Sequence, residues 1–137
     1  METWLTDDNK DLYSIPGYSS HHIVRNNKNG GGVSLFVSDE FHFKFLPQFS
    51  KVSSHLESLF VRLELSKSTK PIFIGGIYRP PGFNDFNLFI DDLNQYFNSS
   101  DLKSKNIILG GDFNVNILND SNSKCRDFLN NMYSNSF

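Results

Sequence analysis

Apolar and polar positions along this chain alternate in short runs, and their period changes from about two to about 3.6 in two places. Strand-like runs lie at His22 to Arg25, Val33 to Val37, Phe41 to Leu46, Ser58 to Leu65, Ile72 to Tyr78 and Asn106 to Leu109. In LFVRLEL, Leu59, Val61, Leu63 and Leu65 alternate with Phe60, Arg62 and Glu64, the period of a half-buried strand. Phe41, Phe43 and Phe45 alternate with His42 and Lys44 in the same way.

From Asn84 to Phe97 the period lengthens. Phe86, Phe89, Ile90, Leu93, Tyr96 and Phe97 form one apolar stripe of an amphipathic helix. Asn84 or Asp85 can cap its start, and Arg79-Pro80-Pro81-Gly82 stops the strand before it, because proline cannot continue a ladder. A shorter helix is expected from Lys124 to Tyr133, burying Phe128, Leu129 and Met132. Strands, then strand, helix, strand and helix predict a layered α/β domain with a mixed sheet. There is no internal repeat, and polar tracts such as Asn26 to Asn29 and Asn119 to Lys124 are loop-sized.

The apolar run Asn106 to Leu109 ends abruptly in Gly110-Gly111-Asp112-Phe113-Asn114. Two readings stand side by side. One is ordinary turn chemistry, with the glycines as a bend, Asp112 as a cap and Asn114 tolerating a left-handed backbone. In the other, the glycines let the backbone pass close to a ligand while Asp112 and Asn114, two apart, aim at the same side. One carboxylate and one amide do not make a hydrolytic site alone; a magnesium site needs further oxygen ligands.

A chain of 137 residues suits one domain, and 14 Phe against a single Trp imply a core filled largely by phenylalanine. Cys125 has no internal disulfide partner, and no Cys/His spacing suggests zinc, so Cys125 reads as a small buried hydrophobe. No apolar run has transmembrane length and METWLTDDNK is unlike a signal peptide, so the chain reads as soluble and intracellular. With a formal net charge of -2, any binding of nucleic acid must come from a local patch. Arg25, Lys28, Arg79, Lys103 and Lys105 are candidates for phosphate contacts, each with a solvated loop charge as the plainer alternative.

GGDFN after an apolar strand resembles the signature of the endonuclease/exonuclease/phosphatase superfamily. Other segments agree in order: Glu2-Thr3-Trp4-Leu5, Asn29-Gly30-Gly31-Gly32-Val33, Glu57-Ser58-Leu59-Phe60-Val61 and Ile77-Tyr78-Arg79-Pro80-Pro81. The last three are similar to the apurinic/apyrimidinic-type endonuclease domain of LINE-like, non-LTR retrotransposons. The resemblance implies a four-layer α/β sandwich, two mixed and mainly antiparallel sheets flanked by helices. It implies a metal-dependent DNA endonuclease that nicks a target strand, using Mg²⁺ or Mn²⁺. It also implies a nuclear location and a reverse transcriptase on the same full-length polypeptide.

On that resemblance Glu2 is the principal metal ligand, joined by Asp112. Asp112 also orients or deprotonates the attacking water, Tyr78 hydrogen-bonds the scissile phosphate, and Asn114 holds a phosphate oxygen. Two carboxylates about 4 Å apart repel by about 4 kcal/mol at an effective dielectric near 20, which a divalent cation removes. Without the resemblance, Glu2 reads as a frayed terminal charge, Tyr78 as an edge-of-core aromatic, and Gly30 to Gly32 as a hairpin turn. His21, His22 and His55 match no family position and read as surface or structural.

The chain departs from the family pattern at both ends. An Asn-bearing first strand would precede Glu2, and C-terminal strands with a further aspartate and a Ser-Asp-His motif would follow Phe137. The expectation is a partial domain over residues 1–137, lacking that first strand and those C-terminal strands. Two functions follow: an endonuclease domain, or a truncated, inactive fragment with at most residual DNA binding.

Overall fold

A computed structural model of the chain describes residues 3–25, 30–65, 70–82, 85–103, 105–119 and 121–137. The strands are β1 (Tyr18–Ile23), β2 (Val33–Ser38), β3 (His42–Phe45), β4 (Lys51–Val52), β5 (Glu57–Glu64), β6 (Ile72–Tyr78) and β7 (Asn106–Asp112). The helices are α1 (Phe86–Asn98) and α2 (Ser123–Ser134).

The α/β class read from the sequence is borne out. β1 and β2 form an antiparallel hairpin, and β3, β5, β6 and β7 lie in that order in a mixed sheet, with β4 pairing β5. Only β6 and β7 run parallel within that sheet. A parallel pair needs a crossover, and α1 supplies it, its apolar stripe buried against the sheet through Phe86, Phe89, Leu93, Tyr96 and Phe97. The Asp85 side chain caps α1 by accepting from the backbone N–H groups of Asn87 and Leu88 at 3.1 and 3.4 Å. Asn84, the alternative cap, lies outside the described residues.

The main core lies between the sheet and the two helices, and aromatic rings fill it: Phe60 meets Phe49 and Tyr96, and Phe128 meets Phe89 and Phe113. The hairpin covers the other face. There Val33 packs on Leu59 and Tyr78, and Val37 packs on Val61 and Leu63. β5 is therefore covered on both faces over Glu57 to Val61, not half-buried as its alternation suggests, because α1 takes Phe60 while the hairpin takes Leu59 and Val61. Cys125 is buried, its thiol directed at the Ile117 carbonyl.

Element boundaries shift from the sequence reading in several places, and two of the shifts, in β1 and β7, bear on the site. β1 begins at Tyr18 and ends at Ile23, so Val24 and Arg25 leave the ladder. Its His22 ring bonds Ser34 across the hairpin at 2.6 Å and Ser20 on its own strand at 3.0 Å. β7 does not stop at Leu109 but continues through both glycines to Asp112, with Gly110 opposite Gly76, Gly111 opposite Ile77 and Asp112 opposite Tyr78. A β-carbon on Gly111, whose φ is +149°, would lie 1.8 Å from the Ile77 carbonyl oxygen. The glycine is thus what allows β7 to stay paired to its end. Gly111→Ala is expected to cost about 3 kcal/mol, read as a lower urea midpoint with an unchanged slope; a loss within 0.5 kcal/mol, the roughly neutral range, would contradict this account of β7.

Candidate functional site

Pairing across β5, β6 and β7 sets Glu57, Tyr78 and Asp112 in one row, since Glu57 is the register partner of Tyr78 and Tyr78 of Asp112. Neighbouring strands lie about 4.8 Å apart, so three chemically capable residues span roughly 10 Å at one end of the sheet. Burial then separates them. Glu57 is fully buried, Tyr78 is 3% exposed, and Asp112 is open to solvent.

Glu57 is the member of this row that the assignment of site residues from sequence missed. One carboxylate oxygen accepts from Arg25 Nε and the other from the Gly32 backbone N–H. Both oxygens are engaged, so the charge is neutralised in place. The Arg25 guanidinium also lies 5.8 Å from the centre of the Tyr78 ring. Arg25 is thus no solvated loop charge; it joins the loop between β1 and β2 to the central sheet. The signal in the sequence was a glutamate at the head of an otherwise apolar strand, ESLF, where a charge is tolerated only when paired.

The glycine run completes this junction. Gly30 to Gly32 do connect β1 to β2, and all three have φ near +80°. A β-carbon on Gly32 would fall 2.9 Å from the Ile23 carbonyl and 2.7 Å from the Thr3 hydroxyl. The Gly31 carbonyl accepts from the backbone N–H groups of both Thr3 and Trp4 at 3.0 Å. The N-terminal segment is therefore docked on the same loop that holds Glu57. Glu2, one residue further, lies outside the described residues, as does Lys28.

At the other end of the row, Arg79 organises the turn after β7. Its Nε donates to the Phe113 carbonyl at 2.8 Å and its Nη2 to the Asn114 carbonyl at 2.6 Å. The guanidinium sits 5.4 and 5.9 Å from the Phe86 and Phe89 ring centres. Burial lowers its pKa from the ordinary arginine value, offset in part by Asp112. Arg79, a candidate phosphate contact in the sequence, is instead a clamp on the turn. Asn114 answers it: its Nδ2 donates to the Arg79 carbonyl at 2.8 Å, and its backbone adopts φ +48°. Asp112 Oδ1 accepts from the Asn114 backbone N–H at 3.0 Å, an Asx turn.

Both sequence readings of GGDFN are therefore present together. Asp112 and Asn114 make the turn, and they also line an open cleft of about 680 Å³ with Phe113, Val115 and Phe128. Asn114 has a second amide hydrogen beyond the one spent on Arg79. Among the described residues no three His, Cys, Asp or Glu side chains converge as a metal cluster. His22 and His55 have structural partners, His55 bonding Asp92 at 2.7 Å. Lys103 and Lys105 are exposed.

An α/β protein with acidic and amide groups at the ends of a parallel strand pair is the class that this geometry defines. Residues 1–128 match the endonuclease/exonuclease/phosphatase family, and the chain belongs to that family. Among solved structures it is similar to the endonuclease domain of TRAS1, a telomere-specific non-LTR retrotransposon, with a TM-score of 0.69 and 10% identity. The likeness covers 88% of this chain and 53% of that one, so the chain spans about half the length of its structural match. No curated protein matches the chain.

Arg25→Met strands the Glu57 carboxylate without its cation. The expected loss is about 3–5 kcal/mol, since a buried charge left unpaired is strongly destabilising. Urea denaturation measures it, and a loss below about 1 kcal/mol, the range of an exposed pair, would mean that Glu57 is not held as described.

Proposed function

We propose that the site at the end of β6 and β7 belongs to a metal-dependent DNA endonuclease of the non-LTR retrotransposon type. Family membership supports phosphoester chemistry, and the likeness to the TRAS1 domain supports DNA as substrate. The observation that carries the reading is the clamped GDFN turn, which fixes an exposed Asp112 beside Asn114 on a row shared with Tyr78.

In this reading Asp112 orients the attacking water and accepts its proton, as a carboxylate within hydrogen-bond reach does. The remaining Asn114 amide hydrogen holds a phosphate oxygen. Tyr78 is nearly buried, so its part depends on its hydroxyl coming within reach of that phosphate, and Tyr78→Phe tests it. Glu2 and Asp112 would hold Mg²⁺ or Mn²⁺. Hard oxygen donors fit such an ion, which keeps several waters and so needs few protein carboxylates. Bound there, it supplies charge neutralisation at the phosphoryl and leaving oxygens. Docking of Thr3 and Trp4 on Gly31 brings the segment after Glu2 to the loop that binds Glu57, which supports this ligand pair. A reverse transcriptase on the same polypeptide and action in the nucleus belong to the same proposal.

A second reading is a chain that keeps the fold and some DNA affinity without turnover. It is favoured by one observation, the near-complete burial of Tyr78, which is 3% exposed and so withdrawn from a phosphate at the end of β6. A supercoiled-plasmid assay with Mg²⁺ separates the two, run on these 137 residues and on a chain of the matched domain's length. Under the endonuclease reading the longer chain nicks, and Asp112→Ala slows it by about 10²- to 10⁴-fold, with only the roughly 1 kcal/mol loss of stability expected of one exposed turn hydrogen bond. Nicking unaffected by Asp112→Ala refutes the site assignment, and DNA binding without nicking by both chains establishes the second reading.

A further inference from the structure

The opposite end of the mixed sheet carries a second polar site. β6 starts at Ile72 and β7 at Asn106, roughly 20 Å along the strands from the Tyr78 row. A cleft of about 580 Å³ opens there, with Lys44, Arg62, Lys70 and Lys105 on its walls, Phe73 among the apolar residues beside them, and Asp101 as its one carboxylate. Four cations against one carboxylate stand out in a chain whose net charge is -2.

Three features distinguish this cleft from a solvated charged face. Lys44 and Arg62 are direct register partners on β3 and β5, so two like charges face each other across an antiparallel pair, an arrangement that opposes folding. Arg62 Nε is buried without a hydrogen-bond partner among the described residues, while its Nη2 is held only by the exposed Glu64 at 3.1 Å, a weak surface pair. None of Lys44, Lys70 and Lys105 is ion-paired among the described residues, and Asp101 is engaged by Gln48. An anion answers all three features: it separates the facing charges, supplies acceptors for a guanidinium one donor short, and gathers the lysines.

We propose that this cleft binds phosphate groups, as a site separate from the Asp112 turn. Arginine recognises phosphate through paired N–H donors once it swings from Glu64, and lysines add point charges around it. The phosphates come either from a duplex DNA backbone or from a free phosphate, and the volume accommodates more than one group. This site uses none of the residues of the proposed nuclease reading and stands or falls independently of it.

The test compares the full chain with Lys44→Gln/Arg62→Gln in two arms, both in EDTA so that no cleavage intervenes. In the first, melting is followed in sodium phosphate and in sodium chloride of equal ionic strength; phosphate is expected to raise the wild-type midpoint by several degrees and leave the double variant unmoved. In the second, anisotropy of a labelled 16-base-pair duplex is followed across salt concentrations. The double variant is expected to bind about tenfold more weakly, its log-log salt slope smaller by roughly 2, since each phosphate contact contributes about 0.9. Loss in the duplex arm identifies a DNA backbone as the source; loss in the phosphate arm alone identifies a free phosphate. Should the double variant fold poorly, Lys70→Gln/Lys105→Gln removes the two charges flanking β6 and β7 and is read identically. A variant that equals the wild type in both arms overturns the proposal.

Discussion

Parallel pairing of β6 with β7 is the constraint on which the rest of this structure depends. It requires a crossover, which α1 provides, and it requires two strand ends to lie side by side without a turn between them. Those ends carry Tyr78 on one strand, with Arg79 directly after it, and Asp112 on the other, and the chain then leaves both strands free to build a site. Gly111 makes the last step of the pairing possible, because no side chain fits between its backbone and the Ile77 carbonyl.

Around that pair, buried charge serves geometry. Arg79 spends its guanidinium on two carbonyls of the Phe113 and Asn114 turn, with aromatic rings close by it. Glu57 spends its carboxylate on Arg25 and the Gly32 N–H. Each group is costly to bury alone and acceptable when fully hydrogen-bonded, and each therefore ties a loop to the sheet. One loop carries the Asn114 side of the site and the other carries the docking point of Thr3 and Trp4. The Thr3 and Trp4 segment and the Asn114 turn are in this way brought towards the same row by two ion-bearing side chains, neither of which is exposed.

The two ends of the sheet contrast in chemistry. At the Asp112 end an exposed carboxylate is flanked by groups already committed to the scaffold. At the Ile72 and Asn106 end, cations outnumber carboxylates and are largely uncommitted. A protein of slightly negative net charge therefore presents its positive surface locally, away from the turn that defines its family.

Sequence alone determined the elements whose signal is periodic: the apolar stripe of α1 at Phe86, Phe89 and Leu93, the alternation of β5, and the α/β order that follows from them. It also determined the family, through residues such as GDFN whose spacing along the chain is local. Tertiary structure decided what periodicity does not encode. That β5 is covered on both faces depends on the hairpin and α1 meeting it from opposite sides. That β7 runs on to Asp112 depends on Gly111 passing under Ile77. The parts played by Glu57, Arg25 and Arg79 depend on partners 25 to 35 residues away in sequence. A charge reads as solvated in a linear pattern, and only the fold shows which charges have been removed from water and what holds them there.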